Sequence, residues 1–263
     1  WNGGELDSFL IEITANILRF RDEDGKPLLD KILDVAGQKG TGKWSAIAAM
    51  DENDPLTLIT EAVYARLLSA LYPERIKAAS LYSGKLKVES GKLSDNAQLS
   101  IEDVRQALYA AKLISYAQGF SLLRHASEHY GWDLDYGTIA RIWRKGCIIR
   151  SVFLQKITEA YRKDPDLENL LFDDFFHTKI QEALPAWRRV VAEGALSGVA
   201  LPAMSSALNY FDGLRTLYSA ANMIQAQRDY FGAHTYERTD RERGHFFHTN
   251  WTGEGGNTVS GTY

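Results

Sequence analysis

The sequence has little cysteine, no long apolar run and no excess of charge of one sign. Cys147 is the only cysteine in 263 residues, so no disulfide can form within the chain, which favours a reducing compartment and predicts a cytoplasmic protein. No apolar run approaches the ~18 residues that a membrane-spanning helix requires, so we expect no membrane span. The 30 basic and 34 acidic side chains include no tract of clustered Lys and Arg, which argues against nucleic-acid binding.

Apolar residues recur at helical spacing along most of the chain. A first amphipathic helix is predicted between Leu6 and Phe20, and a second follows Pro55 and is ended by Pro73. Strand signals are nearly absent. The periodicity therefore predicts an all-α fold.

The second half of the chain continues this pattern. Ser100 to Asp103 resembles a capping box that opens a long helix, and another long helix is predicted from about Thr138 to Tyr161. Two or three further helices are predicted over 166–228. The polar, Gly- and Ser-containing stretch 84–98 is typical of a surface loop.

Residues 244–263 differ in composition from the rest. They contain five Gly and four Thr but no Leu, Ile, Met or Ala, so they cannot form an amphipathic helix. Phe246, Phe247 and Trp251 are apolar anchors that a disordered tail normally lacks. We predict an extended arm that packs onto another surface, and another subunit is one candidate.

A glycine loop resembles a phosphate-binding motif without matching it. Gly37-x4-Gly42-Lys43 departs from the Walker A pattern because Trp44 stands where a Ser or Thr must hold magnesium, which disfavours nucleotide hydrolysis. Two interpretations remain open. Either the backbone N–H groups bind an anion with the charges of Lys39 and Lys43, or the loop is a tight turn with solvated lysines.

An arginine suited to anion binding lies in the helical segment TEAVYAR. Arg66 can bind a phosphate or carboxylate through two parallel hydrogen bonds, which a lysine cannot reproduce. Without further context, a surface ion pair with a glutamate such as Glu61 is the commoner role.

Arg228, Asp229 and His234 lie close together where a predicted helix gives way to Phe-Gly-Ala. An arginine that binds anions and a histidine that changes charge near neutral pH form a plausible site. The same residues also fit a helix C-terminus closed by Gly232, with His234 near the helix dipole. Both interpretations can hold together.

Two further features carry weak signals. His245 and His248 are three residues apart, but no cysteine lies near them, so we predict no metal site. Cys147 is predicted to be a small buried apolar residue.

Several segments together resemble the C-terminal part of one enzyme family, decarboxylating 6-phosphogluconate dehydrogenase. The resemblance runs in order through essentially the whole chain, and QKGTGKW and RDYFGAHTYE are its most specific motifs. The other matching segments are WNGGELDSFLIEIT, LITEAVYAR, ISYAQGF, WRKGCIIRS and FHTNWTG.

The resemblance implies a large helical substrate-binding and dimerisation domain, 1–234, and an extended C-terminal tail, 235–263, that packs on the partner subunit of a homodimer. It implies oxidative decarboxylation of 6-phospho-D-gluconate to D-ribulose 5-phosphate with NADP, in the pentose phosphate pathway. Matched motif by motif, it assigns substrate binding to five residues, the last two of which the tail region donates to the partner's site: Lys39, Thr41, Arg66, Arg228 and His234.

Parts of the family pattern are missing from these residues. No Gly-x-Gly-x-x-Gly follows a strand, and the helix that carries the family's lysine base and glutamate acid has no counterpart. We therefore expect an N-terminally truncated chain without the Rossmann domain, with no catalytic residue of its own and inactive alone, whose NADP binds mainly to the absent part. Ser45 and Lys145 depart from common family residues without touching the binding positions. A non-catalytic helical dimerisation or scaffold protein of the same fold stays open as the alternative.

Overall fold

The computed structural model describes residues 1–82 and 99–253, and this part of the chain is mainly helical, which confirms the all-α prediction. No helix within it is both long and apolar enough to cross a bilayer. Two single-turn 3-10 helices are Leu28–Lys31 and Leu170–Phe172. The α-helices are α1 (Phe9–Arg19), α2 (Thr41–Asp51), α3 (Thr57–Ser69), α4 (Tyr72–Tyr82), α5 (Ile101–Tyr130), α6 (Tyr136–Ile142), α7 (Leu154–Lys163), α8 (Asp174–Leu196), α9 (Pro202–Leu214) and α10 (Ala221–Gly232).

The longest helix, α5, begins at the predicted capping box. The Ser100 hydroxyl accepts a hydrogen bond from the Asp103 amide at 3.0 Å, and the Asp103 carboxylate accepts one from the Ser100 amide at 2.9 Å. Asp103 also pairs with Arg189 of α8. The Ser100 amide and, next, the Arg189 guanidinium lower the pKa of Asp103 to about 2. The cap thus joins the start of α5 to α8.

The core lies where α5 packs against α8. Leu113, Ile114 and Phe120 of α5 and Phe176 and Trp187 of α8 are almost completely buried. Each such side chain contributes roughly 1.5–3 kcal/mol when fully buried, so this contact is a major source of stability for the helical unit.

Polar side chains of α5 position the beginning of α3. The fully buried Gln118 donates to Thr57 Oγ1 at 2.9 Å and accepts from the Leu58 amide at 3.1 Å. The buried Asp54 accepts hydrogen bonds from Ser121 at 2.7 Å and from the His125 ring at 2.8 Å. These contacts fix the turn between α2 and α3.

The helices differ from the prediction in several details. Helix α2 was not predicted, because its Ala and Ile residues form no clear apolar face and only Ala49 is buried. Pro73 does not end the second helix: α3 ends at Ser69, and Pro73 lies in the first turn of α4, where a missing amide costs no intrahelical hydrogen bond.

The predicted helix from Thr138 to Tyr161 is two helices, α6 and α7. They are separated by residues 143–153, which include Gly146, whose φ of +70° lies in the left-handed region that a continuing α-helix cannot adopt. The apolar residues on both sides of this break gave a continuous pattern, and a single glycine was too weak a signal to interrupt it.

The chain also contains a strand pair that was not predicted. β1 (Tyr236–Glu237) pairs antiparallel with β2 (Phe246–Phe247), with Tyr236 opposite Phe247. In the described residues, the predicted extended arm therefore turns back on itself. Two-residue strands are too short to produce a periodic signal.

The chain divides into two compact units, Trp1–Phe211 and a second that begins at Asp212. The division at 234 follows motif resemblance, not compactness, and stays a prediction. The predicted surface loop 84–98 and residues 254–263 of the predicted tail lie outside the described residues.

Candidate functional site

The glycine loop ends at the N-terminus of α2. Gly40 precedes the helix with a φ of +105°, a conformation that favours glycine, and Thr41 is the first helical residue. The first intrahelical bond here joins the Trp44 amide to the Gly40 carbonyl at 2.9 Å. The backbone amides that precede Trp44 in the first turn have no intrahelical acceptor. They form the positive end of the helix dipole. Thr41 and the exposed Lys39 therefore lie where an anion is favoured.

Three side chains of α3 and α4 hold the loop. Arg66 donates through Nη2 to the Gly37 carbonyl. The Ser69 hydroxyl accepts from the Ala36 amide at 2.9 Å. Arg75 pairs with Asp34, and its guanidinium holds the pKa of that carboxyl below the usual range. The structure thus brings Arg66 to the loop that carries Lys39 and Thr41.

The Arg66 side chain contacts the glycine loop and not Glu61. Within the described residues, Glu61 forms no ion pair with Arg66, whose guanidinium turns to the loop instead. Arg66 is exposed, so a guanidinium fixed beside the loop remains accessible to an anion.

Helix α2 passes close to α3 at Gly42. A Cβ added there would lie 2.6 Å from Val63 Cγ2, and Val63 is stiff about χ1 because it is β-branched. The QKGTGK motif therefore combines a residue that permits close helix packing with Lys39 and Thr41 beside the helix N-terminus.

We expect Gly42→Ala to destabilise the protein by roughly 1–3 kcal/mol, the usual cost of overpacking. Gly119→Ala in α5 is the matched control, because nothing lies within 4 Å of its added Cβ. Urea unfolding measures both. Gly42→Ala combined with Val63→Ala should recover part of the loss, and a Gly42→Ala protein as stable as the control would contradict the steric explanation.

The second group of predicted residues lies at the end of α10. Ala233 ends the helix with a φ of +50°. Gln225 Nε2 donates to the carbonyls of His234 at 2.8 Å and Thr235 at 2.6 Å, while its Oε1 accepts from Arg228 Nη1 at 2.9 Å. One glutamine therefore holds both Arg228 and the backbone of His234.

The His234 ring packs against the end of its own helix. A Cβ added at Gly232 would lie 2.7 Å from two ring atoms, and the Phe231 ring meets the His234 ring edge-on at 6.0 Å. Gly232 thus leaves the space that His234 occupies.

Asp229 joins α10 to the segment that follows the strand pair. Its side chain is fully buried and accepts from His248 Nδ1 at 2.9 Å, the Thr249 amide at 3.0 Å and Trp251 Nε1 at 2.8 Å. Burial raises the pKa of Asp229, but these hydrogen bonds outweigh it and the net pKa is lowered. Asp229 is therefore a carboxylate in the folded protein.

His248 is thus a partner of Asp229. Among the described residues, no group of three or more His, Cys, Asp or Glu side chains is arranged to hold a metal ion. Cys147 is half-buried, so the prediction of a buried residue was wrong; it lies in the irregular segment after Gly146.

The five predicted residues belong to two units that are described separately. Lys39, Thr41 and Arg66 meet at one loop in the first unit, and Arg228 and His234 meet through Gln225 in the second. Sequence reasoning missed Gln225 and the role of Asp229. The available signal was their spacing of four residues, which places two polar side chains on one face of α10.

Similarity to known proteins covers nearly all of the chain. A family model described as "6-phosphogluconate dehydrogenase, C-terminal domain" matches residues 1–251. Decarboxylating 6-phosphogluconate dehydrogenases of Rattus norvegicus and Homo sapiens are 56% and 55% identical over 263 residues, which is 100% of this chain and 54% of each relative.

A solved structure is similar as well. It is Plasmodium falciparum 6-phosphogluconate dehydrogenase, described in its apo form and in complexes with NADP+ and with 6-phosphogluconate. It matches with a TM-score of 0.86 at 42% identity, over 95% of this chain and 53% of that chain. The chain therefore spans about half the length of the relatives that it matches.

Proposed function

Because the chain belongs to the 6-phosphogluconate dehydrogenase family, we propose that it is the C-terminal part of an enzyme that oxidises and decarboxylates 6-phospho-D-gluconate to D-ribulose 5-phosphate with NADP. The full-length enzyme is then this chain together with the part that the relatives carry in addition. The observation that carries the proposal is the contact between Arg66 and the glycine loop, at the helix N-terminus that begins with Thr41.

The chemistry of the substrate fits these groups. 6-Phosphogluconate carries a tetrahedral phosphate at one end and a planar carboxylate at the other. Guanidinium groups and backbone amides bind both anions well. We assign Lys39, Thr41, Arg66, Arg228 and His234 to binding this substrate. These residues bind the substrate and orient it. Orientation accounts for a large part of catalysis when the reacting carbon must face a hydride acceptor.

The cofactor is assigned to the rest of the enzyme. NADP supplies the hydride acceptor when bound, but these 263 residues contain no Gly-x-Gly-x-x-Gly after a strand to cradle its pyrophosphate. The lysine base and glutamate acid that the family resemblance implies belong there too. This chain's own residues therefore hold the substrate and no step of proton or hydride transfer is assigned to them.

We also propose a cytoplasmic homodimer in which residues 235–263 of one subunit complete the site of the other. Phe246 is 66% exposed and Trp251 is 44% exposed in the single chain, so apolar surface on this segment is available to a partner. Arg228 and His234 lie just before that segment, and we assign them to the substrate bound by the neighbouring subunit.

Arg66→Lys in the full-length enzyme tests the assignment of substrate binding. We expect the KM for 6-phosphogluconate to rise tenfold or more, because a lysine loses a paired hydrogen bond worth roughly 1.5–3 kcal/mol, while the KM for NADP changes little. Arg19→Lys, at an exposed arginine of α1, is the control. If the substrate KM stays unchanged while urea unfolding shows lost stability, Arg66 only braces the loop and the assignment fails.

A further inference from the structure

We infer that Asp229 is a positioning residue, whose buried carboxylate fastens residues 248–251 to α10 and thereby fixes the orientation of Arg228 and His234. The inference rests on the proposed role of those two residues in substrate binding. It adds a residue that touches no substrate and acts through its neighbours.

The first support is the completeness of the hydrogen bonding around Asp229. Burying a carboxylate is costly unless its oxygens are satisfied. Here a ring N–H, a backbone amide and an indole N–H, from three different residues of one short segment, all end on this side chain at 2.8–3.0 Å. The three donors cannot keep these contacts if the segment moves away from α10.

The second support is where the other polar contacts of the segment lie. Each strand of the pair has only two residues, and an isolated two-stranded hairpin is marginally stable in water. Glu237 accepts from the Gly244 amide at 2.6 Å and pairs with Arg243, and the Tyr236 and Thr249 hydroxyls share a hydrogen bond. These contacts join parts of the segment to each other, whereas the Gln225 and Asp229 contacts join its two ends to α10.

The third support is the position of His234 between two anchors on α10. Gln225 holds the carbonyls of His234 and Thr235 where the segment leaves the helix, and Asp229 holds Thr249 where the segment returns. Arg228 precedes Asp229 in the same helical turn and is bound to Gln225. If the Asp229 contacts are lost, the returning end of the segment loses three hydrogen bonds to α10, and both binding groups gain freedom that the substrate must then remove.

Asp229→Asn in the full-length enzyme tests the inference. Asparagine keeps the shape but loses the charge, so the contacts with Thr249 and Trp251 are weakened, and its amide nitrogen can hydrogen-bond His248 only if that ring changes its tautomer. We expect the KM for 6-phosphogluconate to rise at least about tenfold with the KM for NADP unchanged. Asp240→Asn is the matched control, because it makes the same chemical change at an exposed ion pair with Arg238 in the same segment.

Hydrogen exchange measures the anchor directly. The Thr249 amide donates to Asp229, so peptides containing it should exchange faster in Asp229→Asn than in the wild type or in Asp240→Asn. Trp251→Phe, which removes one donor and keeps an aromatic ring, should show smaller changes of the same kind and serves if Asp229→Asn fails to fold.

The outcomes separate the inference from the proposed function. Faster exchange at Thr249 with an unchanged substrate KM would overturn the positioning role, and so would unchanged exchange. A wild-type enzyme that does not turn over 6-phosphogluconate would overturn the proposed function, while the exchange comparison would still report on the anchor.

Discussion

A mixed dimer of an Arg66→Ala chain and an Arg228→Ala chain, in the full-length enzyme, is expected to recover about half of the wild-type activity per dimer, although each parent keeps about a tenth or less at low substrate concentration. Each parent loses a charged hydrogen-bonding group and with it roughly 1.5–3 kcal/mol, or about 10- to 150-fold in kcat/KM. The recovery follows from the proposed exchange of the tail. One site of the mixed dimer then carries both changes and the other carries neither.

Two different affinity tags isolate the mixed dimer from the parents, and initial rates are compared below the KM for 6-phosphogluconate. The control is a dimer of a wild-type chain with an Arg66→Ala/Arg228→Ala chain. If the site is shared, each of its two sites has one damaged residue and it stays nearly inactive. If both residues serve their own subunit, this control is half-active and the first mixed dimer is not, and the proposed exchange is refuted.

The sequence predicted the helices that have one apolar face and missed features that depend on local backbone geometry. The start of α5 was predictable because Ser100 and Asp103 satisfy each other within one turn. Helix α2 was not, because its identity depends on packing beside α3 at Gly42, and no periodic pattern marks that contact. The break at Gly146 was missed because a positive φ leaves no trace in hydrophobic spacing.

In the candidate site too, some residues were predictable from the sequence and the contacts that hold them were not. Motif resemblance supplied Lys39, Thr41 and Arg66, but not the contact of Arg66 with the Gly37 carbonyl, which joins residues 29 positions apart. The Asp229 contacts span 19 to 22 positions and depend on the turn between β1 and β2. A single sequence shows which side chains can bind an anion. The side chains that hold them in place can be identified only from contacts between residues far apart in the sequence.

We expect these 263 residues on their own not to reduce NADP in the presence of 6-phosphogluconate. Hydride transfer requires a bound acceptor held against the substrate, and no dinucleotide-binding glycine motif occurs in this sequence. A positioned general base alone contributes about 10²- to 10⁴-fold to such a rate, and the resemblance places that base outside this chain. Loss of both removes the reaction, not merely part of its rate.

The measurement is NADPH absorbance with the purified chain, produced in a host that lacks its own 6-phosphogluconate dehydrogenase, beside the full-length enzyme prepared in the same way. Circular dichroism at 222 nm should show a helical protein, so that inactivity is not mistaken for unfolding. Turnover by this chain at a mass of 29.5 kDa would mean that a base and a cofactor site lie within these residues. The assignment of Lys39, Thr41 and Arg66 to substrate binding alone would then be wrong.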